Sequence, residues 1–174
     1  MDSFGTYQGA YEIFRNVNWI GARENCIIGA VVDQSKSSSF TASMVGYGAL
    51  GPAGALVGEV IGRERDERVS HIYDYLFVLM NLTENGVGIM PVRGSGLRLS
   101  PEKQGPVYEG FVFYYYQELA EISVKNYFGI RKSVKTIMIK LADGNKLYFT
   151  ANMVEKPMPY QENGMKLLVS RYQK

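Results

Sequence analysis

The segments SVKTIMIKL (133–141), ADGN (142–145) and KLYFT (146–150) decide the fold. The first and third are short runs rich in β-branched and aromatic residues, with Lys135 and the polar positions tending toward one face. Between them stands Asp143-Gly144, a dipeptide that favours a tight reversal because glycine accepts positive φ without steric cost. Two strands paired through a hairpin follow. Beyond them Pro157 and Pro159 stop the extended chain. Met165, Leu168, Val169 and Tyr172 then recur at i, i+3, i+4 and i+7, which predicts a closing amphipathic helix over 161–172.

Working back toward the N-terminus, the same signals repeat. A run beginning at Tyr73 has period two and ends at Leu82, and another covers Val87 to Val92. Asn85-Gly86 lies between them and predicts a type I′ hairpin at 73–92. Strands are expected at about 26–32, 73–82, 86–92, 107–116, 119–127, 133–141 and 145–152. Residues 93–106 form a Gly/Ser/Pro-containing loop, and 34–39 a serine-rich connector. Tyr7, Ala10, Tyr11 and Phe14 predict a short N-terminal helix that needs a partner surface.

One stretch breaks the rhythm. From Phe40 to Ile61 the only charged residue is Glu59. Gly54, Gly58 and Gly62 are spaced by four, so on a helix they share one face and allow close backbone approach. Glycine and alanine supply little transfer energy and Pro52 interrupts the middle. Packing of this face on the protein's own sheet, or on a second subunit, is therefore expected over a membrane span. Arg63 to Arg68 alternates in sign and reads as a solvated helical turn in which Glu64 meets Arg68.

The 174 residues suit one domain, with an N-terminal helical segment at 1–25, a glycine-rich helical insertion at 40–70 and the β-rich core with its helix at 71–174. With 46% hydrophobic and 21% charged residues, the chain is globular in composition. Cys26 is the single cysteine, which excludes an internal disulfide and suits a reducing cytoplasm. His71 is the single histidine, so no site using two imidazoles exists. The first residues lack a basic segment followed by an apolar run, so no secretory signal is expected.

The segment from Tyr116-Gln-Glu-Leu into Ala120-Glu-Ile-Ser-Val-Lys125, and the strand, Asp-Gly, strand, helix ending from Thr136 to Tyr172, resemble bacterial pleckstrin-homology-like domains. The resemblance covers residues 73–172. It implies a β-rich α+β fold of two near-orthogonal antiparallel sheets, a barrel or sandwich, capped by the C-terminal helix. It also implies a binding or scaffolding module without a catalytic centre or cofactor. Lipid-binding relatives carry a basic motif between their first two strands. Here that place falls to the glycine-rich insertion with its alternating charges, so the motif is absent.

Net charge is +2, but residues 1–122 carry −5 and residues 123–174 carry +7. Lys125, Arg131, Lys132 and Lys135 surround the turn at 126–130, with Tyr127 and Phe128 beside them. Basic groups interleaved with aromatics suit an anionic lipid surface; nucleic acid is the less favoured partner. The plainer reading is a solvated hairpin tip whose aromatics turn inward. Tyr114, Tyr115 and Tyr116 are expected to place at least one ring in the core.

Cys26 sits in an apolar run and His71 beside Ser70 without a third catalytic partner. No phosphate-cradling loop and no metal-ligand spacing occurs, so no metal is expected. The expected function is thus a non-catalytic cytoplasmic binding or oligomerisation module, self-associating through the glycine face, with an anionic contact on its basic half. The alternatives are a peripheral membrane protein whose glycine-rich helix enters lipid, and an enzyme of unrecognised type.

Overall fold

The computed structural model describes residues 3–19, 25–32, 67–94 and 98–173. The glycine face Gly54, Gly58 and Gly62, the rest of the 40–62 stretch, the 34–39 connector and Glu64 lie outside the described residues. The elements in order are α1 (Tyr7–Arg15), β1 (Cys26–Val31), α2 (Glu67–Ile72), β2 (Phe77–Leu82), β3 (Gly86–Gly94), β4 (Gln104–Pro106), β5 (Val112–Tyr115), β6 (Leu119–Tyr127), β7 (Arg131–Leu141), β8 (Lys146–Asn152) and α3 (Gln161–Tyr172).

The chain is β-rich with a C-terminal helix, as expected, but the two separate sheets are not found. The described strands form one eight-stranded antiparallel sheet in the order β4-β3-β2-β1-β8-β7-β6, with β5 also on β3. The outer edge of β3 is shared end to end: Gly86 to Ile89 pair with β5 and Val92 to Gly94 with β4. Only the 3₁₀ turn Tyr116–Glu118 joins β5 to β6, although these strands lie at opposite ends of the sheet. Residues this close along the chain are no more than about 14 Å apart, so the sheet must curl until its ends nearly meet. They stay unpaired with each other, and the curl is not a closed barrel.

The inside of the curl is the main core. Tyr114 from β5 and Val124 from β6 join Ile27, Val78, Ile89, Ile139 and Phe149 there, closed by Val69 and Ile72 of α2 and Met165 and Leu168 of α3. A second core lies on the opposite face of β1 to β3, where Ile13 and Phe14 of α1 pack on Ile28, Leu79 and Met90. The Thr6 hydroxyl accepts from the Gly9 N–H at 3.0 Å and caps α1. Strand β2 is therefore buried on both faces, and its residues alternate between two cores rather than between core and water.

Three local expectations need correction. The strand expected from Tyr73 starts at Phe77, because the amides of Tyr73, Asp74 and Tyr75 bond back to Val69, His71 and Ile72. The strand expected over 107–116 shrinks to Val112–Tyr115, since Tyr108–Gly110 is a 3₁₀ turn. The hairpin joining β2 to β3 forms, but neither Asn85 nor Gly86 has positive φ. Its tip is Glu84-Asn85, and the Thr83 hydroxyl accepts from the amides of both Asn85 and Gly86. Gly86 already belongs to β3, where a Cβ would run into the Tyr114 carbonyl oxygen. Close backbone approach, not turn conformation, requires glycine there.

The feature that organises the fold is a split between β1 and β8. Their ladder pairs Val31 with Phe149 and Ala30 with Thr150, a register that would bring Gly29 opposite Ala151 and then Ile28 opposite Asn152. The Gln161 side chain stands in that place. Its Oε1 accepts from the Ile28 N–H at 2.8 Å, and its Nε2 donates to the Ile28 carbonyl at 3.0 Å and the Asn152 carbonyl at 2.8 Å. One carboxamide thus replaces a missing strand pair. Tyr160, just before it, packs in the second core, whereas Met165 and Leu168 pack in the first. Helix α3 enters through the split.

Two substitutions test this. Gln161→Leu takes the partner from two buried backbone groups of Ile28 and from the half-buried Asn152 carbonyl and is expected to cost on the order of 3 kcal/mol in urea unfolding. Gly164→Ala raises helix propensity by about 1 kcal/mol, yet its Cβ would meet the Cys26 carbonyl and come within 2.5 Å of Ile27 Cγ2. The expected outcome is a net loss of stability, read as a lowered urea midpoint.

Candidate functional site

The basic cluster lies at the far end of the β6–β7 hairpin. Lys125 stands opposite Thr136, Asn126 opposite Lys135 and Tyr127 opposite Arg131. The register jumps between the last two pairs, so Lys132, Ser133 and Val134 bulge out of the ladder. At the tip the Gly129 N–H donates to the Asn126 carbonyl at 2.8 Å, and the Ile130 N–H to the Tyr127 carbonyl at 3.4 Å. Phe128 and Gly129 both have positive φ, +51° and +73°. That pair of values marks a type I′ centre, the conformation for which Asn-Gly is the usual sequence.

The four cations separate into two kinds. Lys125 and Lys132 are exposed and Arg131 is half-buried at the turn. Lys135 is only 5% exposed and lies on the same face as Ile137, Ile139 and Leu141. Its Nζ donates to Asn126 Oδ1 at 2.5 Å and Gln173 Oε1 at 2.9 Å. The expectation of Lys135 as a surface contact, on a polar face of its strand, is corrected: its ammonium is held inside. Gln173, just past α3, also bridges to Val124 of β6. The base of the hairpin is therefore pinned by the end of the closing helix.

The aromatics separate in the same way. Tyr127 turns inward, as the plainer reading of the tip expects, and burial pushes its phenol above the usual tyrosine range, partly offset by the Arg131 charge. Phe128 turns outward and is 46% exposed, with its ring 4.2 Å from that of Tyr127. Ile130 is 80% exposed. Sequence reasoning missed Ile130. Its signal was an apolar residue at a turn, inside a segment from Ile122 to Ala142 that holds five cations and no acid.

Elsewhere, the tyrosine run is divided by the strand pleat: Tyr114 is buried beneath the Arg68 guanidinium at 4.6 Å, and Tyr115 is exposed. Arg68 pairs with Glu118 at 3.1 Å. Tyr116 is pushed up to about 12, first by burial and then by its hydrogen bond with Tyr172. Cys26 is buried and its sulfur accepts from Asn81 Nδ2 at 3.2 Å. The His71 ring meets Tyr75 edge-on at 5.5 Å. A cleft of about 50 Å³ beside the β1–β8 split is lined by Ile28, Phe77, Leu99, Thr150 and Glu155 among others. The described residues hold no group of three or more His, Cys, Asp or Glu able to hold a metal ion.

Compared with known protein families, with curated proteins and with solved structures, the chain has no match. Any function must therefore be argued from the molecule itself.

The division among the lysines is testable. Lys135→Ala removes both hydrogen bonds its ammonium gives to the half-buried Asn126 and Gln173 side chains and is expected to lower unfolding free energy by about 2 kcal/mol while leaving affinity for a cation-exchange resin unchanged. Lys125→Ala is expected to do the reverse: earlier elution in a salt gradient at unchanged stability.

Proposed function

We propose that the chain is a non-catalytic binding module of pleckstrin-homology-like build, which contacts an anionic surface through the β6–β7 tip. The observation that carries this reading is the pairing of exposed Lys125 and Lys132 with Arg131 around a turn in a segment without acids. Such a grouping sums its field outward, and each cation adds about 1 kcal/mol when brought to an anionic lipid surface. The antiparallel sheet closed by a C-terminal helix supports the architectural half of the reading. Self-association through Gly54, Gly58 and Gly62 is the second part of the proposal and rests on the sequence spacing. Among the described residues no helix is long and apolar enough to cross a membrane.

Co-sedimentation with vesicles tests the anionic contact. The protein is expected to pellet with phosphatidylcholine/phosphatidylserine vesicles and not with phosphatidylcholine alone, and to be released by salt. Lys125→Glu combined with Lys132→Glu is expected to weaken this at least about tenfold. Equal binding by the double variant would remove the proposal.

A further inference from the structure

We infer that the β6–β7 tip does more than lie against an anionic bilayer: it inserts Phe128 and Ile130 into the headgroup region. The inference rests on the anionic-surface reading above and assigns a partner class, a lipid interface rather than a soluble polyanion.

Three independent features point there. First, the exposed large apolar side chains of the described residues are Tyr115, Phe128, Ile130 and Val154, and two of the four lie at this tip with only Gly129 between them. Second, the backbone is unusual. Phe128 occupies the left-handed region at φ +51°, a conformation costly for any residue with a Cβ and rarely taken by a bulky one. Asparagine there would relieve that cost, so the turn holds an aromatic ring outward against its own preference. Third, a Cβ built on Gly129 would meet nothing within 4 Å. Among the described residues the tip is open at this point, so none of them bars its approach to a surface there.

Chemistry then selects the occupant. Lys125 and Lys132 flank the apolar pair, so cationic and apolar groups face outward together. A bilayer interface offers phosphates and acyl chains at one depth, and amphipathic anchors exploit that coincidence. Single-stranded nucleic acid would use Phe128 as a stacking platform, but Ile130, the more exposed of the two, has no π-face to offer a base. A protein partner would need a matching apolar pocket with acidic rims, for which nothing in this molecule argues. The base of the hairpin is held by Lys135, Asn126 and Gln173, so the wedge is mounted on a fixed support.

The test uses the full chain and phosphatidylcholine/phosphatidylserine vesicles. Phe128→Asn with Ile130→Ser keeps every cation and relieves the left-handed strain. It is expected to weaken vesicle binding at least about tenfold with no fall in melting temperature. Phe128→Trp is expected to show a blue-shifted emission on adding these vesicles, quenched by brominated acyl chains, against the unchanged native chain as control. Undiminished vesicle binding by the apolar double variant, with loss only on Lys125→Glu and Lys132→Glu, would overturn insertion and leave the electrostatic contact standing. Absence of vesicle binding by the native chain would overturn both. Displacement of the native chain from vesicles by an oligoribonucleotide, with no blue shift for Phe128→Trp, would also overturn insertion.

Discussion

The Gln161 carboxamide is the interaction on which the rest of the structure depends. In this curled antiparallel sheet the strands part between β1 and β8, whose ladder holds only two residue pairs. Parted strands leave buried N–H and C=O groups, each costly when unpaired. A primary amide offers an acceptor and two donors in one plane, one donor more than a backbone unit, so Gln161 fills the gap where hydrophobic side chains would leave orphans. The same residue begins α3, which fixes where the helix enters and which core its Met165 and Leu168 reach. Gly164 then lets the helix lie against the backbone of Cys26.

What begins at Gln161 ends at Gln173. Helix α3 runs from the split to β6, where Gln173 meets Val124 and shares Lys135 with Asn126. One end of the helix repairs the sheet and the other immobilises the base of the β6–β7 hairpin. Beyond that base, the chain bulges at Lys132 to Val134 and turns through Phe128-Gly129 with its side chains outward. Lys132 and Lys135 are three residues apart yet chemically opposite: one charge is solvated, the other is satisfied by two carboxamides in the interior. The candidate site is the part of the hairpin that the helix does not cover.

Much of this was legible beforehand. Periodicity of 3.6 identified α1 and α3, and apolar β-type runs identified β1, β6, β7 and β8; the helices, β6 and β7 each have one dominant buried face, β7 and β8 meet at Asp-Gly, and β1 is a short β-branched run buried on both faces. The Asn85-Gly86 turn type and the Phe128-Gly129 turn went the other way. Gly86 was demanded by β5 packing on β3, a contact distant in sequence. Phe128 took a conformation that local preference assigns to asparagine.

The sequence by itself determined the inventory: short strands, a closing helix, a basic C-terminal half and no pair of cysteines or histidines for chemistry. Those follow from local pattern and composition, which act over a few residues at a time. Only the tertiary structure decided that the strands join one curled sheet, that Lys135 is inside and Ile130 outside, and that a glutamine stands in for a strand pair. Burial and pairing are set by which distant segments meet, and a carboxamide or a lysine reads the same in sequence whether water or backbone answers its hydrogen bonds.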